Sequence, residues 1–368
     1  MEDLSIYIHV PFCRKKCPYC HFYSIASSKT LEDAFFQALL EEISLRKTLF
    51  QNRNIVSIYF GGGTPFLLGA KRVAAILEKF PILGKCEITL EANPETTTLP
   101  LLREYKEIGV NRLSFGVQSF NDEELKILGR SHTSKEVYRA IDDAISVDFS
   151  NISIDLMYEL PNQTLSLWKY SLQEACSLPI QHVSLYNLML EPNSAWYRKK
   201  ESIQQPSEEL ALKMYRTAVE EMRSSGFMQY EISAFAHSGY TSKHNSGYWK
   251  GREFLGFGPS AFSFFEKKRF SNAAHLKKYC DALKEGTLPV DFVDHVLSRL
   301  REMVAVGLRM NEGVDLSYLE SLWGSADSEL KETLQKLIEL GLLATCGKYL
   351  SLTDQGRVLY DGVASEII

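Results

Sequence analysis

The sequence predicts an α/β fold: a partial (βα)6 barrel followed by a small, mostly helical, winged-helix-like domain. Two observations carry this. Six short segments rich in β-branched and aromatic residues alternate with amphipathic stretches over the first half of the chain. The last eighty or so residues instead carry helical periodicity and a single short apolar pair.

The strand-like segments are Ser5–His9, Ile55–Phe60, Glu87–Ala92, Arg112–Gly116, Asn151–Met157 and His182–Tyr186. Between them lie the helix-like stretches Leu31–Phe50, Lys71–Phe80, Leu99–Ile108, Ser134–Ser146 and Leu165–Ser177. Strands alternating with helices at this spacing imply βα units and a parallel sheet. Six units suggest a partial barrel rather than a closed one. Glu208–Ser225 is a further helix, ending at Gly226. Residues 226–290 read as an aromatic-rich, irregular connecting segment after a barrel of residues 1–225. Residues 291–368 form the third unit, with helical patterns at Asp294–Leu308, Asp315–Leu322 and Ser328–Leu340. A short apolar pair around Leu342–Leu352 and a final helix from the Thr353/Asp354 cap complete it.

Composition narrows the function. Hydrophobic residues make up 45% and charged residues 24% of 368 residues, an ordinary globular balance. A net charge of −5 gives no draw toward nucleic acid. No apolar stretch reaches membrane-span length, and the first residues lack the basic start and apolar run of a secretory signal. The expectation is a cytoplasmic protein.

Three of the seven cysteines fall in Cys13-Arg-Lys-Lys-Cys17-Pro-Tyr-Cys20; the others (Cys86, Cys176, Cys280, Cys346) are scattered. One tight cluster in an odd count argues for a metal or cluster site, not a disulfide framework. Iron–sulfur clusters are held by thiolates, usually four. With three, one iron keeps an open position, where a ligand can bind. Arg14, Lys15 and Lys16 are expected to lower the thiol pKa values. A zinc site completed by His21 or His9 is the rival reading. In α/β barrels, ligands collect at the C-terminal ends of the strands. The cysteine loop, Gly61-Gly62-Gly63-Thr64, Glu91-Ala-Asn-Pro94, Gly116-Val-Gln118-Ser, Asp155 and Tyr186–Met189 all follow strands.

The CxxxCxxC spacing, preceded by Tyr7-Ile-His-Val-Pro-Phe, resembles the signature of the radical S-adenosylmethionine (SAM) superfamily. It is most similar to the branch holding oxygen-independent coproporphyrinogen III oxidase and the HemW-type heme chaperones. The resemblance covers almost the whole chain. It implies a 4Fe–4S cluster on Cys13, Cys17 and Cys20, with S-adenosylmethionine chelated at the open iron and cleaved reductively in the superfamily at large. It further implies cofactor contacts from Tyr7, Tyr19, Gly62, Gly63, Thr64, Glu91, Gln118, Arg130, Asp155 and Met189. Glu91 would accept from ribose hydroxyls and Arg130 would pair with the methionine carboxylate.

Within that branch, Phe22 stands where the oxidases carry a fourth cysteine. Only twelve residues precede Cys13, too few for the oxidases' N-terminal lid. Lys243-His244-Asn-Ser-Gly-Tyr248-Trp249 matches the HNxxYW motif of the chaperones, which implies His244 as a heme ligand. His21 departs from the acidic or small residue usual after the third cysteine. The resemblance therefore points to a heme chaperone, with heme, an acceptor hemoprotein of the membrane and a reductant protein as partners. The alternative is oxidative decarboxylation of coproporphyrinogen III.

Overall fold

The computed structural model describes residues 2–294 and 299–368. Among the described residues, twelve strands make one sheet. They are β1 (Asp3–Val10), β2 (Asn54–Gly62), β3 (Glu87–Ala92), β4 (Arg112–Gln118), β5 (Ile152–Tyr158), β6 (His182–Asn187), β7 (Met228–Glu231), β8 (Ala234–Ala236), β9 (Phe254–Phe257), β10 (Phe262–Phe265), β11 (Lys268–Asn272) and β12 (Val290–Asp294). Their spatial order is β12-β11-β10-β9-β1-β2-β3-β4-β5-β6-β8-β7.

β1 to β6 are parallel and consecutive, the partial barrel that the alternating pattern predicts. Their Ile-, Leu- and Phe-rich positions are almost entirely buried, as parallel strands covered by helices require. The helices start where the sequence supplies caps. Ser28 accepts from Leu31 N at the head of Lys29–Leu45. Thr133 and Glu136 form a capping box at Ser134–Ser146, and Thr164 caps Leu165–Ser177.

Three boundaries depart from expectation. The stretch read as Leu31–Phe50 divides at Arg46, which leaves the helical line and pairs with buried Glu42 at 3.2 Å. Asp122–Ile127 is an additional helix, capped by Asn121. Residues 226–290 are not irregular: β7 to β11 lie there, and β9 joins β1 in parallel, carrying the sheet past both ends of the barrel.

The Lys243–Trp249 helix lies against β2 and β3. Its first two backbone N–H groups, of Lys243 and His244, donate to the Glu87 carboxylate at 3.0 Å each. It thereby floors the barrel at the end opposite the cysteine loop.

Residues 300–367 close around a second core that includes Leu300, Val304, Leu330, Leu334 and Leu352. It holds helices Leu300–Gly307, Leu316–Trp323, Ser328–Glu339, Asp354–Val358 and Tyr360–Ile367, with a three-stranded sheet whose hairpin is Leu343–Cys346 and Tyr349–Leu352. The expected helix Asp294–Leu308 is realised only over Leu300–Gly307, and its residues 295–298 lie outside the described residues.

Candidate functional site

The strand ends converge on one cavity of about 360 Å³, within the roughly 300–1,000 Å³ usual for small-molecule sites. Cys13, Cys17 and Cys20 line it. So do Tyr19, Gly62, Gly63, Thr64, Glu91, Gln118, Arg130, Asp155 and Met189. Tyr7 and His244 do not.

The cysteine loop is pinned at its base. Phe12–Cys13 pairs with Ile25–Ala26, and Ser27 N donates to Cys13 O at 3.3 Å. Inside the loop, Cys20 N donates to Cys17 O at 3.1 Å. Among the described residues no three His, Cys, Asp or Glu side chains converge to hold a single metal ion. A cubane makes no such demand, because each thiolate caps a different iron. Burial pushes the Cys13 and Cys20 thiols up from their ordinary value. This reverses the expected effect of the basic stretch. Lys16 does lower Cys20, but desolvation outweighs it.

A polar chain ties two of the cysteines together. Thr64 Oγ1 donates to Cys13 Sγ at 3.8 Å and accepts from Asn93 Nδ2 at 3.1 Å. Arg130 Nη2 donates to Asn93 Oδ1 at 2.7 Å and to Gly116 O at 2.6 Å. Arg130 Nη1 donates to Cys17 Sγ at 3.7 Å. The Arg130 fork is thus largely committed to the protein, and its Nε is buried with no partner among the described residues. Asn93, not singled out from sequence, joins the two halves of this chain. Its place directly after β3 was the available signal.

The glycines admit backbone where side chains would not fit. Gly62 has φ +111°, and a Cβ there would lie 2.7 Å from the His9 ring. At Gly63 a Cβ would lie 2.5 Å from Phe12 O. Gln118, a non-glycine at φ +72°, ends β4 in the cavity wall, the kind of backbone strain found at ligand sites.

Of the three carboxyls that line the cavity, Glu91, Asp155 and Glu191, the first two stand on barrel strands. Glu91 accepts from Tyr59 Oη at 2.8 Å and from Gly62 N at 3.2 Å. Burial raises its pKa to about 7, with Asp155 adding to the rise and Tyr59 opposing it. Burial likewise raises Asp155 to about 6 against Ser184 and Arg112. Both can therefore exchange a proton near neutrality.

His244 lies beneath this cavity, in the barrel floor, and is 1% exposed. Nδ1 is 3.0 Å from Ser57 Oγ and Nε2 is 2.8 Å from Tyr248 Oη. Ser57 gives its own proton to Ser5 Oγ at 2.9 Å. Nδ1 therefore carries the imidazole proton and Nε2 accepts from Tyr248. The ring stacks on Tyr59 at 4.9 Å. Tyr7 fills the same interior: its Oη meets His9 Nδ1 at 3.1 Å and its ring stacks on Tyr59 at 6.3 Å.

The radical SAM superfamily model matches residues 7–174, and the HemN C-terminal domain model matches residues 297–359. The chain is 34% identical over 365 residues to the heme chaperone HemW of Bacillus subtilis, covering 96% of each. The chain belongs to the HemW family of the radical SAM superfamily. It is also 34% identical to the mitochondrial radical S-adenosyl methionine domain-containing protein 1 of Danio rerio, covering 98% of this chain and 84% of that one. Among solved structures, coproporphyrinogen III oxidase (HemN) of Escherichia coli, a radical SAM enzyme, superimposes with a TM-score of 0.86 at 26% identity, over 100% of this chain and 90% of that one. HemW membership accounts for both the barrel and the HemN-like C-terminal region. Among the described residues no helix is long and apolar enough to cross a membrane.

Proposed function

We propose that this protein is a heme chaperone of the cytoplasm, which binds heme and passes it to an acceptor hemoprotein. In this reading Cys13, Cys17 and Cys20 hold a 4Fe–4S cluster and the cavity holds S-adenosylmethionine. The observation that carries it is the convergence of the three cysteines, the Gly62–Thr64 backbone, Glu91, Arg130 and Asp155 on one cavity, in a chain of the HemW family.

The residues present suit these groups. Gly62 and Gly63 let a ligand approach main chain directly. Glu91 offers a carboxylate to hydroxyl donors, and Arg130 Nε is a buried donor still lacking an acceptor. The cluster, when bound, supplies an iron with an open coordination position. The protein's own part is to orient: Thr64 and Arg130 each donate to a cysteine sulfur, favouring the thiolate form.

The alternative is oxygen-independent oxidation of coproporphyrinogen III, supported by the likeness to the HemN structure. Phe22, where the oxidases carry a fourth cysteine, favours the chaperone. The test is an anaerobic heme titration of the reconstituted protein, followed by transfer of that heme to an apo-hemoprotein. The chaperone reading expects stoichiometric heme uptake and no consumption of coproporphyrinogen. Turnover of coproporphyrinogen without heme binding would replace it with the oxidase.

A further inference from the structure

Three large side chains on the cavity wall stay open to solvent: Phe22 at 54%, Met189 at 55% and Tyr186 at 45%. Phe22 comes from the cysteine loop after β1. Tyr186 and Met189 come from the end of β6, the last of the parallel barrel strands, and the segment that follows. Exposed apolar side chains gathered on one concavity mark a binding surface. Basic groups share it. Lys15 and Lys16 line the same cavity, and Lys16 Nζ spends one of its three donors on Phe22 O at 2.9 Å.

A flat apolar ring bearing carboxylates, with a metal in need of a nitrogen donor, matches this chemistry. The donor is at hand. His21 is exposed, lies on the cavity wall, and stands against Phe22 with ring centroids 4.3 Å apart. Among the described residues neither of its ring nitrogens has a hydrogen-bond partner, and it is the only histidine lining the cavity. His9, His132, His182, His237 and His244 each spend at least one ring nitrogen on the protein.

His244 offers the contrast. The Nε2 lone pair that heme iron would need accepts from Tyr248, the other nitrogen faces Ser57, and the ring is buried beneath the cavity. Binding heme there would require breaking both hydrogen bonds and opening the barrel floor. Resting on the heme-chaperone reading above, we infer that heme lies across the mouth of this cavity with His21 as its axial ligand. Lys15 and Lys16 face its propionates, and His244 is a structural residue of the floor.

The test is an anaerobic hemin titration of the full, cluster-reconstituted chain as wild type, His21→Ala, His21→Met and His244→Ala. Iron and sulfide content and circular dichroism serve as controls. His21 is exposed, so its replacement does not threaten the fold. His21→Ala is expected to lower heme affinity by roughly 10-fold or more and to change the Soret band and the low-spin signature. His21→Met should restore binding with the spectrum of a thioether ligand, which a packing role would not produce. His244→Ala, where folded, should keep the wild-type heme spectrum. Wild-type affinity and spectrum in both His21 variants would overturn the assignment and leave the chaperone reading standing. Absence of heme uptake by the wild type would remove the chaperone reading itself.

Discussion

Arg130 donates to the sulfur of Cys17 through one guanidinium nitrogen while the other nitrogen is held by Asn93 and the Gly116 carbonyl. The side chain therefore cannot turn freely toward a ligand, and it presents a fixed cation to the Cys17 sulfur. Outer partners of this kind tune a metal centre as much as its ligands do.

Arg130→Gln is accordingly expected to assemble a cluster that is easier to lose and harder to reduce. Loss to a chelator should rise by roughly 10–100-fold. The midpoint potential should move negative, because a cation near the cluster stabilises its more negative, reduced form. Anaerobic chelator competition and a redox titration read both. Unchanged values in each would show that the Cys17 contact contributes nothing to the centre.

Gly63→Ala places a methyl group where only 2.5 Å separates it from the Phe12 carbonyl oxygen. Backbone on both sides leaves no side chain to yield. The base of the cysteine loop has to move, and with it Cys13. Iron and sulfide content after reconstitution should fall well below wild type while the far-ultraviolet dichroism stays close to it. Full cluster loading in the variant would mean the loop accommodates the change.

These two effects differ in how far the sequence discloses them. The barrel strands are legible because long parallel strands are buried on both faces and read as apolar runs ending in distinctive residues. Gly61–Gly63 and Glu91 announce themselves this way. β7 to β11 are three to five residues long, too short for alternation to register. The β10–β11 hairpin turns at Glu266 and Lys267, both at positive φ, where a glycine or asparagine would have signalled the turn. Burial opposes local charge at Cys13 and Cys20, so neighbouring lysines mislead about these two thiols. Arg130 reads as a free carboxylate partner because nothing in sequence shows Asn93 arriving from another strand. The partners that bury His244 are hidden in the same way: Ser57 and Tyr59, on β2, are nearly two hundred positions away.

Glu91 predicts a proton linked to ligand binding. Its carboxyl, held at about 7 chiefly by burial, is partly protonated at neutral pH. A ligand that donates hydroxyl hydrogens to it selects the ionised form. S-adenosylmethionine binding should therefore release a fraction of a proton near pH 7, and affinity should rise as pH climbs through about 7. Calorimetry in buffers of different ionisation enthalpy measures the release. Glu91→Gln should abolish it and weaken binding by about 1–3 kcal/mol. Buffer-independent heats in the wild type would sink this role for Glu91.

His244 predicts an acid-labile barrel floor. Burial, then Arg252 and Arg112, hold its pKa down at about 3, against 6.5 for an ordinary histidine. The unfolded chain takes up a proton near 6.5 that the folded chain refuses until about 3. The stability due to the neutral buried ring is therefore complete above 6.5 and falls as pH drops through that window. His9, lowered to about 4 by burial, acts in the same direction, so the contribution of His244 is isolated by difference. His244→Ala takes the acceptor from Tyr248 Oη and the donor from Ser57 Oγ, which keeps Ser5, and empties the space against Tyr59. The loss at pH 8 should be about 2–4 kcal/mol, combining the unsatisfied polar groups and the cavity. Denaturant unfolding of both proteins between pH 8 and 5 should show that gap narrowing as the medium is acidified. A gap that stays constant or widens would mean that His244 is protonated in the folded chain, and that the floor is built on an ion rather than on a neutral imidazole.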